Sequence, residues 1–290
     1  MTRDRVLAID CGTTGNRAIL FDRHQRVVDS AYREFTQHYP KAGWVEHDAE
    51  EIWRSVRAVV GVVLKRAGAE AGRVAGIGIT NQRETVVVWD RVTGRPLAPA
   101  IVWQCRRTSD LCAKLKADGW EAKAHGRTGL FLDPYFSGSK IRWLVENRPA
   151  VARALRAGTA LIGTIDTWVI WKLTGGRSFV TDPTNASRTL LYDIRKGRWD
   201  AELMKLFRAP AAALADVRPC AAERGTTVRA AIGHELPILG AAGDQQSAAF
   251  AQGVSPDGIV KNTYGTGLFL VAETGTRLKL SRTYRQNIES

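Results

Sequence analysis

The chain opens on a strand that ends in a carboxylate and runs straight into a Gly/Thr turn. Val6 to Asp10 is a short apolar run rich in branched residues, Cys11-Gly12-Thr13-Thr14-Gly15-Asn16 is turn chemistry, and Arg17 to Asp22 resumes a strand. A third strand, Arg26 to Phe35, completes a hairpin meander. The segments that follow alternate strands with helices. Asp48-Ala49-Glu50-Glu51 has the cap-x-x-Glu form that starts a helix; Ile52, Val56, Val59, Val60 and Val63 recur at helical spacing, and Gly68 marks its stop. Val74 to Thr80 and Thr85 to Asp90 read as strands, and so do Leu161 to Gly163 and Pro237 to Ala241. Ser109 to Asp118, Ser137 to Asn147, Asp166 to Leu173, Ala201 to Phe207 and Gln245 to Gln252 read as helices. A meander feeding into such alternation predicts a mixed sheet in an α/β domain, with its active residues at the strand ends where the sheet opens into a crevice. After Asp257-Gly258 the opening theme returns: strand over Ile259 to Tyr264, turn at Gly265-Thr266-Gly267, strand over Leu268 to Glu273. This echo suits a fold of two related halves, one spanning residues 1–252 and a second only begun in 253–290.

Composition narrows the classes of function. No apolar stretch approaches the roughly 18 residues a membrane helix needs, and Met1 to Arg5 lacks the apolar region of a secretory signal, so the expected location is the cytoplasm. The four cysteines, Cys11, Cys105, Cys112 and Cys220, show neither a C-x-x-C pair nor a zinc spacing and are expected to be reduced. The five histidines show no metal or triad spacing. Net charge is +13, from 42 basic and 29 acidic residues, but the charges are scattered and mostly arginine. Nucleic-acid binding is therefore not expected; an anionic substrate would still gain from the positive field.

Several stretches carry chemistry. At Asp10-Cys11-Gly12-Thr13-Thr14-Gly15 a Gly/Thr turn could offer N–H groups and hydroxyls to phosphate oxygens, with Asp10 beside it able to hold Mg²⁺ through water; the same residues also make a plain hairpin turn. The lysine of a P-loop is absent. Asn81-Gln82-Arg83-Glu84-Thr85 sets a donor fork beside acceptors, a mixture that suits adjacent polyol hydroxyls; by pattern alone such a stretch is ordinarily a solvated turn with a charge pair. Trp103 could pack against an apolar carbon edge or simply belong to the core. Asp244, where a buried strand meets a helix start, could take the proton of an attacking hydroxyl or serve as a helix cap. Gly265-Thr266-Gly267 is a second candidate phosphate turn.

Taken together, these motifs resemble the FGGY carbohydrate kinases, and among them the glycerol-phosphorylating branch. The resemblance rests on Ile9 to Thr14, Pro40 to His47, Ile77 to Thr85, Ile101 to Thr108, Asp133 to Lys140, Gly163 to Trp171, Thr184 to Thr189, Gly243 to Gln246 and Lys261 to Gly267. Tyr135-x-Ser137-x-x-Lys140-Ile141-x-Trp143-Leu144-x-Glu146-Asn147 fits the family's first signature. Pentulose-using members usually carry a Gly-Gln-Met-His-like stretch where this chain has Asn81 to Glu84, which favours glycerol. The resemblance implies an actin-like ATPase fold with ribonuclease-H-like domains around a cleft. It implies that glycerol meets Arg83, Glu84, Trp103, Tyr135, Asp244, Gln245 and Phe269, with Asp244 as general base. It implies that ATP phosphates meet Gly12, Thr13, Thr14, Gly15, Arg17 and Thr266, with Mg²⁺ near Asp10. Members of the family are often homo-oligomers. Where many relatives read Ser-Ser, this chain has Gly15-Asn16, so one phosphate hydroxyl is expected to be lost. Arg277 to Ser290 does not resemble the family's continuation, so the nucleotide lobe is expected to be almost wholly missing and the chain inactive by itself. The alternatives are a non-catalytic polyol- or partner-binding fragment, or a kinase of another sugar.

Overall fold

The computed structural model describes residues 3–256, 258–264 and 268–275. Its central sheet is built from β1 (Arg5–Cys11), β2 (Gly15–Phe21), β3 (Val27–Glu34), β4 (Val74–Asn81) and a late strand, β7 (Ile238–Gly243). Between β4 and β7 the chain adds a separate antiparallel pair, β5 (Val87–Asp90) with β6 (Ala160–Gly163). The sheet order is β7-β4-β1-β2-β3. The meander β1-β2-β3 is antiparallel, whereas β4 and β7 run parallel to β1. This is the mixed sheet the sequence predicted.

Alternation along β1 assigns its faces. Leu7, Ile9 and Cys11 are fully buried, while Val6, Ala8 and Asp10 look the other way. The buried face packs on α1 (Ala49–Ala67) and on α3 (Ile165–Leu173) in one continuous apolar cluster. Asp48 caps α1 by accepting from the Glu50 N–H at 2.8 Å. The reciprocal half of a capping box does not form, because Glu51 turns away to accept from the Thr36 N–H and hydroxyl at 3.1 and 3.0 Å. A second apolar cluster, with Val86, Ile101, Leu130, Phe136, Leu144 and Leu191 among its members, encloses α2 (Ser137–Asn147). That helix stops at Asn147 as expected. Pro149 then occupies the first turn of another helix, Pro149–Arg156, where its fixed φ and missing N–H cost nothing. All four cysteines are free thiols, three of them buried.

Two late elements frame the crevice. A short helix, α4 (Pro183–Ala186), is capped by Asp182. Helix α5 (Asp244–Ala251) leaves the end of β7 directly. Beyond it β8 (Val260–Tyr264) and β9 (Leu268–Ala272) form their own antiparallel pair. Thr266 lies outside the described residues.

Candidate active site

The parallel registers bring three chain segments to one edge. Cys11 lies opposite Asn81, and Asn81 opposite Gly243, so β1, β4 and β7 end side by side. The residues that follow these ends, together with Asp10, face a common crevice, where open α/β sheets bind ligands.

Asn81, Gln82, Arg83 and Glu84 are all buried, so the stretch is not the solvated turn its pattern alone suggested. Burying four strongly polar residues requires partners for each. The Gln82 amide donates to the Gly12 carbonyl at 3.0 Å and its oxygen accepts from the Thr85 hydroxyl at 2.8 Å. Asn81 and Asn185 exchange amide hydrogen bonds at 2.9 and 3.0 Å. Arg83 donates from Nε to Asp244 Oδ1 at 2.9 Å. Glu84 accepts from Arg188 Nε at 2.6 Å, and both of those side chains are buried. The Thr85 N–H turns back onto the Arg83 carbonyl at 2.8 Å, which puts Glu84 at the centre of a tight three-residue turn with φ of 63°.

Electrostatics in this cluster follow from crowded charges in a concavity. Burial is the largest effect on Asp244 and lifts its carboxyl above the ordinary range; Arg83 opposes the lift and Glu84 adds to it. Burial works against the Arg83 charge, yet Glu84, Asp244 and Tyr135 together hold its pKa above the ordinary value. The Arg83 side chain is 3% exposed and that of Asp244 39%, so the carboxylate is the member of the pair that solvent or a ligand can reach. Asp244 is the first residue of α5 rather than its cap. Asp10 is also raised, first by burial and then by Asp244, with Arg17 opposing. Two carboxylates therefore disfavour each other's charge across the cleft, a situation that a dication or a proton relieves. Among the described residues no group of three or more His, Cys, Asp or Glu side chains is arranged to hold a metal ion.

The walls are aromatic. Trp103 meets Tyr135 edge-on at 5.6 Å and Phe269 at 6.4 Å, and the Arg83 guanidinium lies over Phe269 at 5.8 Å. Burial pushes the Tyr135 phenol up to about 12, and Glu84 adds to the rise, so it remains an O–H donor. The buried Lys140 ammonium donates to the Pro134 and Phe136 carbonyls at 2.8 and 3.2 Å and also to that of Tyr135. It thereby fixes the loop that carries Tyr135. Gln245 accepts from Lys261 Nζ at 2.7 Å and from the Thr263 hydroxyl at 3.2 Å, which ties β8 to α5.

In the Gly/Thr turn the Gly12 N–H is already used, donating to the Gly15 carbonyl at 3.0 Å, so it is not open to a phosphate as the sequence suggested. Thr13 is better placed. Its hydroxyl oxygen accepts from the Trp103 indole N–H at 2.9 Å, which leaves its own proton free to donate. Gln37 secures the Thr13 carbonyl at 3.0 Å, and His47 bonds Gln37 at 2.7 Å. Thr14 and Arg17 are exposed beside this turn, and Arg17 covers the Tyr32 ring at 5.3 Å. Asn16 is fully buried and donates to the Ile52 carbonyl at 3.2 Å, so its side chain serves α1 and not the turn. At Gly15 a Cβ would meet the Tyr32 hydroxyl at 2.6 Å, so a serine could not enter without displacing Tyr32.

Sequence reasoning gave no role to Asn81, Arg188, Asn185, Thr184, Lys140 or Lys261. Arg188 and Asn185 lie within the Thr184 to Thr189 stretch, but nothing local marks an arginine there as the partner of a glutamate 104 residues earlier.

The chain belongs to the FGGY family of carbohydrate kinases: the family's N-terminal domain matches residues 5–251. It is 56% identical over 277 residues to a glycerol kinase of a Chelativorans species, covering 96% of this chain and 55% of that protein. A Shewanella amazonensis glycerol kinase is 54% identical, covering 95% and 56%. Among solved structures, Plasmodium falciparum glycerol kinase with ADP superposes with a TM-score of 0.91 at 35% identity, over 97% of this chain and 56% of that one. A xylulose kinase from Rhodospirillum rubrum gives 0.87 at 28% identity, over 96% and 56%. The fold is therefore the actin-like α/β fold of these kinases, as the sequence implied. The chain spans about half the length of the curated relatives it matches. Among the described residues no helix is long and apolar enough to cross a membrane.

Proposed function

We propose that this chain is the glycerol-binding part of an ATP-dependent glycerol kinase, with residues 1–252 as one domain and the β8–β9 hairpin as the start of a second. The supporting observation is the convergence of Arg83, Glu84 and Asp244 in one partly open cluster, walled by Trp103, Tyr135 and Phe269. Glycerol presents adjacent hydroxyls that each donate and accept, on a carbon edge that is apolar. Arg83 would donate to one hydroxyl, Glu84 would accept from the next, and the rings would cover the carbons. Gln245 would contact the same polyol from the start of α5.

In the whole protein a terminal glycerol oxygen would attack the γ-phosphorus of ATP. The new O–P bond forms as the bond to the β-phosphate oxygen breaks; ADP leaves, and the hydroxyl proton passes to Asp244. A carboxylate lifted above its ordinary range is better matched to that proton than a fully solvated one. The product is sn-glycerol 3-phosphate. Phosphate oxygens would meet Thr13, Thr14 and Arg17, together with Thr266 from the second half. Asp10 would hold Mg²⁺ through water, and the ion would neutralise phosphate charge when bound. The crowding of Asp10 by Asp244 is a charge repulsion that such a dication would relieve.

Thermal-shift titration of the purified chain tests the binding half: glycerol should raise the melting temperature, and propane should not. An ADP-release assay tests the rest. This chain should turn over little ATP, because it spans about half of its relatives. In a protein of full family length, Asp244→Asn should cost about a hundredfold or more in kcat. Undiminished turnover by that variant would remove Asp244 as the base.

A further inference from the structure

Arg188 is absent from every role assigned above, yet it touches the polyol cluster on two sides. Its Nε donates to Glu84 Oε1 at 2.6 Å. Its guanidinium lies over the Tyr135 ring at 5.4 Å and over Phe136 at 4.8 Å. We infer that Arg188 is a positioning residue that sets polyol specificity, by fixing the Glu84 acceptor and the Tyr135 wall at a set separation. The inference deepens the proposed function and rests on it for the identity of the ligand.

Three observations carry it. First, Glu84 has φ of 63°, a left-handed conformation that costs free energy for a residue with a side chain and persists only where surroundings over-determine it. The surroundings are the Thr85-to-Arg83 turn bond, the Ser137 hydroxyl donating to the Glu84 carbonyl at 3.1 Å, and Arg188 on the carboxylate. Only the last of these fixes where the carboxylate oxygens sit. Second, the backbone that carries Arg188 is itself anchored to the ends of both β4 and β7. Asp182 caps α4; Asn185 of that helix holds Asn81, and the Thr184 hydroxyl accepts from the Gly243 N–H at 2.7 Å. The segment 182–188 is thus a bracket behind the Arg83–Glu84 turn and behind Asp244. Third, a planar fork suits this double duty. One edge donates to a carboxylate while the flat face stacks on rings, which the point charge of a lysine does not reproduce.

The test uses the 290-residue chain as wild type, Arg188→Lys, Arg188→Gln and, as a stability control, Leu191→Ala, a buried core residue that is not among the proposed polyol contacts. Affinities for glycerol and for propane-1,2-diol are measured by calorimetry, and crystal structures of wild type and Arg188→Gln are compared. The wild type should prefer glycerol. Arg188→Gln should bind glycerol about ten- to a hundredfold more weakly and lose most of the preference, with Arg188→Lys in between. Leu191→Ala should melt earlier and keep the preference. An unchanged preference in Arg188→Gln would overturn the inference. If the wild type binds neither compound, the glycerol reading fails, and the crystal structures still decide the positioning role. Displacement of Glu84 and Tyr135 in Arg188→Gln supports it, and unmoved side chains overturn it.

Discussion

At the ends of β4 and β7 the chain buries Asn81, Gln82, Arg83 and Glu84, four polar residues in a row; on the terminal hairpin it leaves Tyr264, Leu268 and Leu270 at 77%, 72% and 68% exposure. The two regions face one another, since Phe269 of β9 reaches the Arg83 guanidinium and Trp103. Their difference separates what this part of the fold completes from what it leaves open. A buried charge is tolerated only with partners in place, and in the crevice those partners come from this same chain: Arg188 for Glu84, Asp244 for Arg83, Asn185 for Asn81. Exposed apolar side chains grouped on one hairpin form a patch of the kind that serves as an interaction surface. The relatives are nearly twice as long as this chain, which agrees with the proposal that a second domain begins at the hairpin.

The sharpest way to break this comparison is to remove a partner inside the crevice. Glu84→Leu leaves Arg188 charged and buried without its carboxylate, which should cost about 3–5 kcal/mol, read as the urea midpoint of unfolding. A loss within experimental error would mean that the buried ion pair is not the organising feature claimed for it.

Acid should act next, through the support of the Gly/Thr turn. His47 is fully buried, its Nε2 bonds Gln37, and among the described residues its Nδ1 has no partner, so a second proton would be buried there without a hydrogen bond. Burial, with His38 adding to it, lowers its pKa from 6.5 to about 4. The folded state therefore holds fewer protons than the unfolded state between those values. The stabilisation is fully present above pH 6.5 and is lost as pH falls towards 4, about 3 kcal/mol in all. Denaturant titrations across that window should show the decline, and His47→Gln should flatten it.

The smallest effect is expected at the hairpin. Leu268→Ser together with Leu270→Ser should change the stability of the chain by no more than about 0.5 kcal/mol, because neither side chain is buried here. The same pair of changes should reduce self-association in sedimentation. A large loss of stability would show that these leucines already pack within the chain.

The parts of this fold legible in the sequence are those whose causes are local. The period of two along β1, the apolar stripe of α1 with its Asp48 cap, and the Gly/Thr turn are each fixed by neighbours a few residues apart. Family motifs also pointed to Arg83, Glu84, Trp103, Tyr135 and Asp244 as candidates for one site; the parallel registers of β1, β4 and β7 bring the segments of Arg83, Glu84 and Asp244 to one crevice, and Trp103 joins it through Thr13, with Tyr135 against its ring. What the sequence did not determine was the state of those side chains. By pattern alone Asn81 to Glu84 was a solvated turn, and nothing marked the side-chain partners of Asn16 or Arg188. Tertiary structure decided all three, because the partners that make burial tolerable, Arg188 and Asn185 for the turn and Ile52 for Asn16, lie 36 to 104 residues away along the chain. Periodicity reports which face of an element is apolar; it carries no record of which distant polar group will meet another once the sheet has closed.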